Sequence, residues 1–165
     1  MKKFIYLISP QKIKGIKFYK KLDQVLGTKK VKYFQLRLKK TPTSKLIKIG
    51  IKIRKITKKN KVKLLINDNP KVAKLIDADG CHVGQNDMSL VSCRKILGKN
   101  KIIGVTCHNS KKFTLNAKKN KANYVAFGSF FKSSTKKTKY KAKLQILRWA
   151  KKKISMPVVA IGGIN

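Results

Sequence analysis

A C-terminally incomplete (β/α)8 TIM barrel, of the α/β class, is the fold this sequence predicts. Short apolar runs of strand character recur along the chain, and the segments between them can carry an apolar stripe at helical spacing. Such alternation implies a parallel sheet. The chain also stops just past its seventh strand-like run, at 165 residues, whereas a full barrel takes about 250 and rarely under about 200.

The expected strands are Phe4 to Ile8, Tyr33 to Leu38, Val62 to Ile66, Gly80 to Gly84, Ile102 to Cys107, Tyr124 to Gly128 and Pro157 to Ile161. Between the second and third, Ile47, Ile49, Ile51 and Ile53 alternate like a strand while Leu46, Ile49, Ile53 and Ile56 fit a helix; we read a helix. After the third, Asn69 is placed to cap a helix whose first residue is Pro70, since proline suits the first helical position. Leu90, Ile96 and Leu97 form a stripe that Gly98 ends, and Tyr140, Leu144 and Leu147 form another. Residues 1–165 are expected to be a single domain truncated after strand seven, either a fragment or an incomplete barrel completed by something else.

Lys and Arg number 43 against 5 acidic residues, a formal charge of +38, yet 42% of residues are hydrophobic, which suits a buried core. Only four of the basic residues are Arg (Arg37, Arg54, Arg94 and Arg148), and the lysines are spread along the chain without a block. Specific nucleic-acid contacts favour Arg, so the surface reads as compositional drift toward Lys, with weak nonspecific binding to polyanions at low salt. No run approaches a membrane span, and Met1 to Pro10 lacks the features of a signal peptide. A cytoplasmic protein with no membrane partner is expected. Cys81, Cys93 and Cys107 are expected as reduced thiols. Pairing Cys81-His82 with Cys107-His108 around zinc fails on geometry, because adjacent strand residues face opposite ways.

In barrels the site lies at the C-terminal ends of the strands, so the polar residues closing each run carry the argument. Gln35, Arg37 and Lys39 alternate with Leu36 and Leu38; period-two geometry puts the polar three on one face, suited to an anion. Acids are scarce: Asp23, Asp68, Asp77, Asp79 and Asp87, with no Glu. Asp68 and Asp87 close the third and fourth strands, either as helix N-caps or as carboxylates holding Mg2+ against a diphosphate. Asp77 and Asp79 belong to the turn before Gly80. The loop Gly128 to Lys136, with Ser133, Thr135 and Lys136, can wrap phosphate oxygens. Thr106 and His108 end the fifth strand, where His108 is a general base or a structural residue. Gly162-Gly163 can offer backbone N–H groups to a phosphate.

Taken together these runs resemble the thiamine phosphate synthase family. The matching motifs are Gln35-Leu36-Arg37, Leu65-Ile66-Asn67-Asp68, Ala78 to Asp87, Ile103 to His108, Tyr124 to Gly128 with Ser133 to Lys136, and Pro157 to Ile164, in family order. The resemblance implies a barrel transferase that joins a hydroxymethylpyrimidine diphosphate to thiazole phosphate with Mg2+, releasing pyrophosphate by a dissociative mechanism. It implies that Gln35, Arg37, Lys39, Asn67, Thr106 and Lys136 contact the pyrimidine diphosphate, with Arg37, Lys39, Thr106 and Lys136 carrying catalysis. Asp68 and Asp87 would hold Mg2+, and Ser133, Thr135 and Gly163 would meet the thiazole phosphate. The partners implied are these small molecules; the oligomeric state is left open. Leu38 replaces the family's usual acid, Thr106 its usual Ser, and Lys132-Ser133 a Pro-Thr pair. Three other readings stand beside it: a thiazole tautomerase working through His108, an inactive barrel binding the same phosphates, and a non-catalytic basic RNA-binding protein.

Overall fold

Parallel strands alternate with helices throughout the computed structural model, which describes residues 4–131 and 140–164. Two compact units divide the chain. The first comprises Met1–Cys81 with Ile96–Lys101, the second His82–Lys95 with Ile102–Asn165.

In the first unit, β1 (Ile5–Ile8), β2 (Val31–Leu36) and β3 (Lys63–Asn67) lie side by side in chain order. Helix α1 (Gly15–Gly27) buries Leu22 and Leu26, and α2 (Thr43–Lys59) buries Leu46, Gly50, Ile53 and Thr57. The isoleucine-rich segment is therefore helical, and its buried positions recur every three or four residues. Gly50 is the close-approach residue: a Cβ there would lie 2.6 Å from Ile76 Cδ1, with Leu36 Cδ2 at an ordinary 3.7 Å, so α2 packs closely on Ile76. Phe34, Leu36 and the run Leu64–Ile66 complete the core. Helix α3 (Pro70–Leu75) starts as expected, with Asn69 Oδ1 accepting the Val72 N–H at 2.9 Å. Asp79 is more than a turn residue. Its carboxylate, only 13% exposed, accepts the Leu64 N–H at 2.9 Å and pairs with Arg54 and Lys63 at 3.0 and 3.1 Å.

The strand β4 (Gly80–Val83) carries the chain into the second unit, where β5 (Ile102–His108), β6 (Tyr124–Phe127) and β7 (Val158–Ala160) follow in order and pair in parallel. Helix α4 (Leu90–Leu97) buries Cys93 and Leu97, and Gly98 beyond it has φ +76°. Between β5 and β6 lies α5 (Lys111–Lys119), capped by Ser110 on the Phe113 N–H. The helix α6 (Leu144–Lys153) differs from expectation: Ile146 and Ala150 are buried, Leu144 is exposed, and Tyr140 precedes the helix. Tyr140 stacks on His108 instead, with ring centroids 4.1 Å apart.

Four helices end with a non-glycine residue in the left-handed region one residue past the cap. After α1, α2 and α5, Lys29, Lys61 and Lys121 adopt φ of 61°, 58° and 59°. Each donates its N–H to a carbonyl three residues back, on Leu26, Lys58 and Lys118. After α3 the residue is Asp77, at φ 50°, whose N–H donates to the Lys74 carbonyl.

Cys81, Cys93 and Cys107 are buried thiols. Burial pushes the Cys107 thiol up to about 11, outweighing a hydrogen bond with Thr114 that acts the other way. At pH 8 Cys107 should therefore stay unmodified by iodoacetamide in the folded chain and react once guanidinium unfolds it, as peptide mass spectrometry would show.

Candidate active site

In the first unit the ends of β2 and β3 bring four expected residues together. Gln35, 3% exposed, donates from Nε2 to Asn67 Oδ1 at 3.1 Å. Beyond the strands, Lys39 Nζ lies 3.4 Å from Asp68 Oδ2, with Asp68 at φ +61°. The strand is shorter than its alternation implies: β2 stops at Leu36, paired with Ile66, so Arg37 and Lys39 sit in the loop that follows. Arg37 is anchored there by its backbone N–H, which donates to the buried Ser9 Oγ at 2.9 Å. Leu38 is buried, which keeps it out of the polar set. An open groove of about 390 Å³ runs past Leu36, Leu38, Lys39, Thr43, Asn67 and Asp68.

In the second unit Thr106 is held at both ends. Its carbonyl accepts from Gln85 Nε2 at 2.5 Å, and its hydroxyl lies 2.8 Å from His82 Nε2. The other ring nitrogen of His82 lies 2.7 Å from the Tyr124 hydroxyl, and the two rings stack with centroids 5.6 Å apart. Sequence reasoning weighed His82 only as a zinc ligand and did not find this network, because its members are brought together by parallel strand pairing. His108 ends β5 at φ +53°, stacked on Tyr140 with Phe113 edge-on at 6.4 Å.

Asp87 Oδ2 accepts the Gly84 N–H at 2.7 Å and closes the turn after β4. Neither Asp68 nor Asp87 caps a helix. Asn69 caps α3, and Ser89 Oγ accepts the Ser92 N–H at the start of α4. Gly163 lies in the left-handed region at φ +70°, next to Gly162, whose carbonyl accepts from Phe131 N–H at 2.9 Å. Ser133, Thr135 and Lys136 lie outside the described residues. Among the described residues no group of three or more His, Cys, Asp or Glu gathers as metal ligands, and no helix is long and apolar enough to cross a membrane.

Amides and cations at strand ends are groups that suit an anionic ligand. The family model for thiamine monophosphate synthase matches residues 5–165. The chain belongs to the thiamine monophosphate synthase family. A thiamine-phosphate synthase from Pelagibacter ubique is 58% identical over 165 residues, covering 99% of this chain and 79% of its own length. One from Methylococcus capsulatus is 37% identical, covering 99% and 72%. Among solved structures, a thiamine phosphate pyrophosphorylase from Pyrococcus furiosus superposes with a TM-score of 0.84 at 30% identity, over 98% of this chain and 76% of that one. The fold class is thus that of the synthase barrel, with seven strands among the described residues. Membership makes the chain a transferase of thiamine biosynthesis, with thiamine-phosphate synthase activity on small-molecule substrates.

Proposed function

We propose that this synthase joins 4-amino-2-methyl-5-hydroxymethylpyrimidine diphosphate to thiazole phosphate in the cytoplasm, releasing pyrophosphate, with Mg2+ as its cofactor. The observation that carries the reading is the line of polar groups at the ends of β2 and β3. There Gln35 holds the Asn67 amide, and Lys39 stands beside Asp68. Because Asn67 Oδ1 accepts from Gln35, the Asn67 amide hydrogens are left to donate to a diphosphate oxygen.

The carboxylates suit the cofactor. Mg2+ takes oxygen ligands, often from one or two carboxylates, and keeps waters and substrate phosphates for the rest. Asp68, 28% exposed in the first unit, and Asp87, exposed in the second, each provide such oxygens, and by family resemblance these two would hold the ion. When bound, Mg2+ would neutralise charge on the diphosphate.

In the reaction the C–O bond between the pyrimidine methylene and the diphosphate breaks, and its electron pair leaves with pyrophosphate. The thiazole nitrogen then supplies the pair for the new C–N bond. Arg37 and Lys39 stabilise negative charge as it grows on the leaving group. By family resemblance Thr106 and Lys136 would complete the contacts to the pyrimidine diphosphate, and Ser133, Thr135 and Gly163 would meet the thiazole phosphate. Buried thiols suit a reducing compartment.

The test is to incubate the chain with both substrates, with and without Mg2+. Equimolar thiamine phosphate and pyrophosphate, formed only with Mg2+, is the expected result. No product, together with no Mg2+-dependent calorimetric binding of the pyrimidine diphosphate, would overturn the reading.

A further inference from the structure

We propose that His82 is a positioning residue: held by Tyr124 as its Nε2–H tautomer, it donates to Thr106 and so turns the Thr106 hydroxyl hydrogen toward the substrate. The proposal rests on the reading above, in which Thr106 meets the pyrimidine diphosphate.

His82 is 6% exposed, and each ring nitrogen lies within hydrogen-bond distance of a hydroxyl: Nδ1 of Tyr124 at 2.7 Å, Nε2 of Thr106 at 2.8 Å. A neutral imidazole has one donor and one acceptor, while each hydroxyl can play either part. The chain of bonds therefore runs in one of two directions. In the first, Tyr124 O–H donates to Nδ1, Nε2–H donates to Thr106 Oγ1, and the Thr106 hydrogen points onward. In the second, Thr106 spends its hydrogen on Nε2 and presents only lone pairs.

Two considerations select the first direction. A phenol is a stronger acid than an aliphatic alcohol, so Tyr124 is the better donor of the two. An anionic ligand is repelled by lone pairs and attracted by a hydroxyl hydrogen.

The surroundings keep this geometry in place. The Tyr124 ring, 1% exposed, lies over Gly104, where a Cβ would stand 2.3 Å from the Tyr124 hydroxyl. A side chain at residue 104 would thus displace the donor to Nδ1. Gln85 grips the Thr106 carbonyl independently, so the backbone of Thr106 is set apart from the direction of its hydroxyl hydrogen.

Nitrogen-15 NMR of the histidine ring tests the tautomer directly, without substrate. The expected spectrum has a protonated Nε2 and an unprotonated Nδ1 for His82; a protonated Nδ1 in the neutral ring overturns the proposal. Tyr124→Phe should convert that signal into a mixture of tautomers, and an unchanged signal also counts against it.

Kinetics provide a second, separable readout. His82→Leu should raise KM for the pyrimidine diphosphate about tenfold, and His82→Gln, which keeps an N–H near Nε2, should recover most of that loss. Thr106→Val should cost as much as the double variant with His82→Leu, because His82 acts through Thr106. Additive losses overturn the positioning role. If Thr106→Val changes nothing while the tautomer is as expected, the placement of Thr106 on the substrate fails, and the purpose assigned to His82 falls with it. Should His82→Leu not fold, His82→Gln and Tyr124→Phe still decide the matter.

Discussion

Asp68→Asn should lower kcat/KM roughly 100- to 1,000-fold in assays with Mg2+, while the melting temperature moves by no more than about 2 °C. The substitution keeps size and hydrogen-bonding capacity but removes the charge. Asp68 and Lys39 are 28% and 49% exposed at 3.4 Å, and such solvated pairs contribute at most about 1 kcal/mol to stability. A carboxylate lost from a metal site acts differently, since it weakens the hold on the ion that neutralises the leaving group. Raising Mg2+ should then recover part of the lost rate. Equal losses in stability and activity, with no response to Mg2+, would mark Asp68 as a structural partner of Lys39.

The largest stability effect is expected from Gly104→Ala. Its new Cβ would fall 1.9 Å from Tyr124 Cζ, and Tyr124 is among the largest fully buried side chains. Neither a strand backbone nor a packed ring can yield that distance without loss, and overpacking of this kind costs about 1–3 kcal/mol. Urea titration should show a lower midpoint with an unchanged slope. Gly27→Ala is the control: it would meet Asn60 Oδ1 at 3.7 Å, ordinary contact, and should leave the midpoint nearly unmoved.

Where a structural decision rests on neighbours in sequence, the residues announce it. Asn69-Pro70 signals a helix start because cap and first turn are contiguous, and Gly98 signals a helix end for the same reason. The apolar runs mark all seven strands because each strand is short and its own residues decide burial. Strand ends are set elsewhere. β2 halts at Leu36 because its pairing with β3 ends there, a fact about the partner strand. The stripe of Tyr140, Leu144 and Leu147 is not the buried face: α6 buries Ile146 and Ala150, and Tyr140 stacks on His108, 32 residues earlier.

The site follows the same division. Gln35, Asn67, Lys39 and Asp68 were legible as polar closures of apolar runs, and the first unit joins them in pairs. His82 was not, because its meaning depends on Tyr124, 42 positions away. A histidine inside an apolar run carries no local mark of the hydroxyls that will flank it. The scarcity of acids was a usable signal, since it drew attention to Asp68 and Asp87. It was weaker for Asp79, whose carboxylate instead ties the start of β3 to the turn before β4.

The lysines that close α1, α2 and α5 show that compositional drift reaches the backbone as well as the surface. A left-handed residue with a Cβ costs about 1 kcal/mol more than glycine in the same place. Lys29, Lys61 and Lys121 together therefore forgo about 3 kcal/mol, a sizeable part of the roughly 5–15 kcal/mol that holds an ordinary domain folded. The chain thus keeps thermal headroom in reserve at three turns remote from its chemistry, where glycine would raise heat tolerance and leave the catalytic groups untouched.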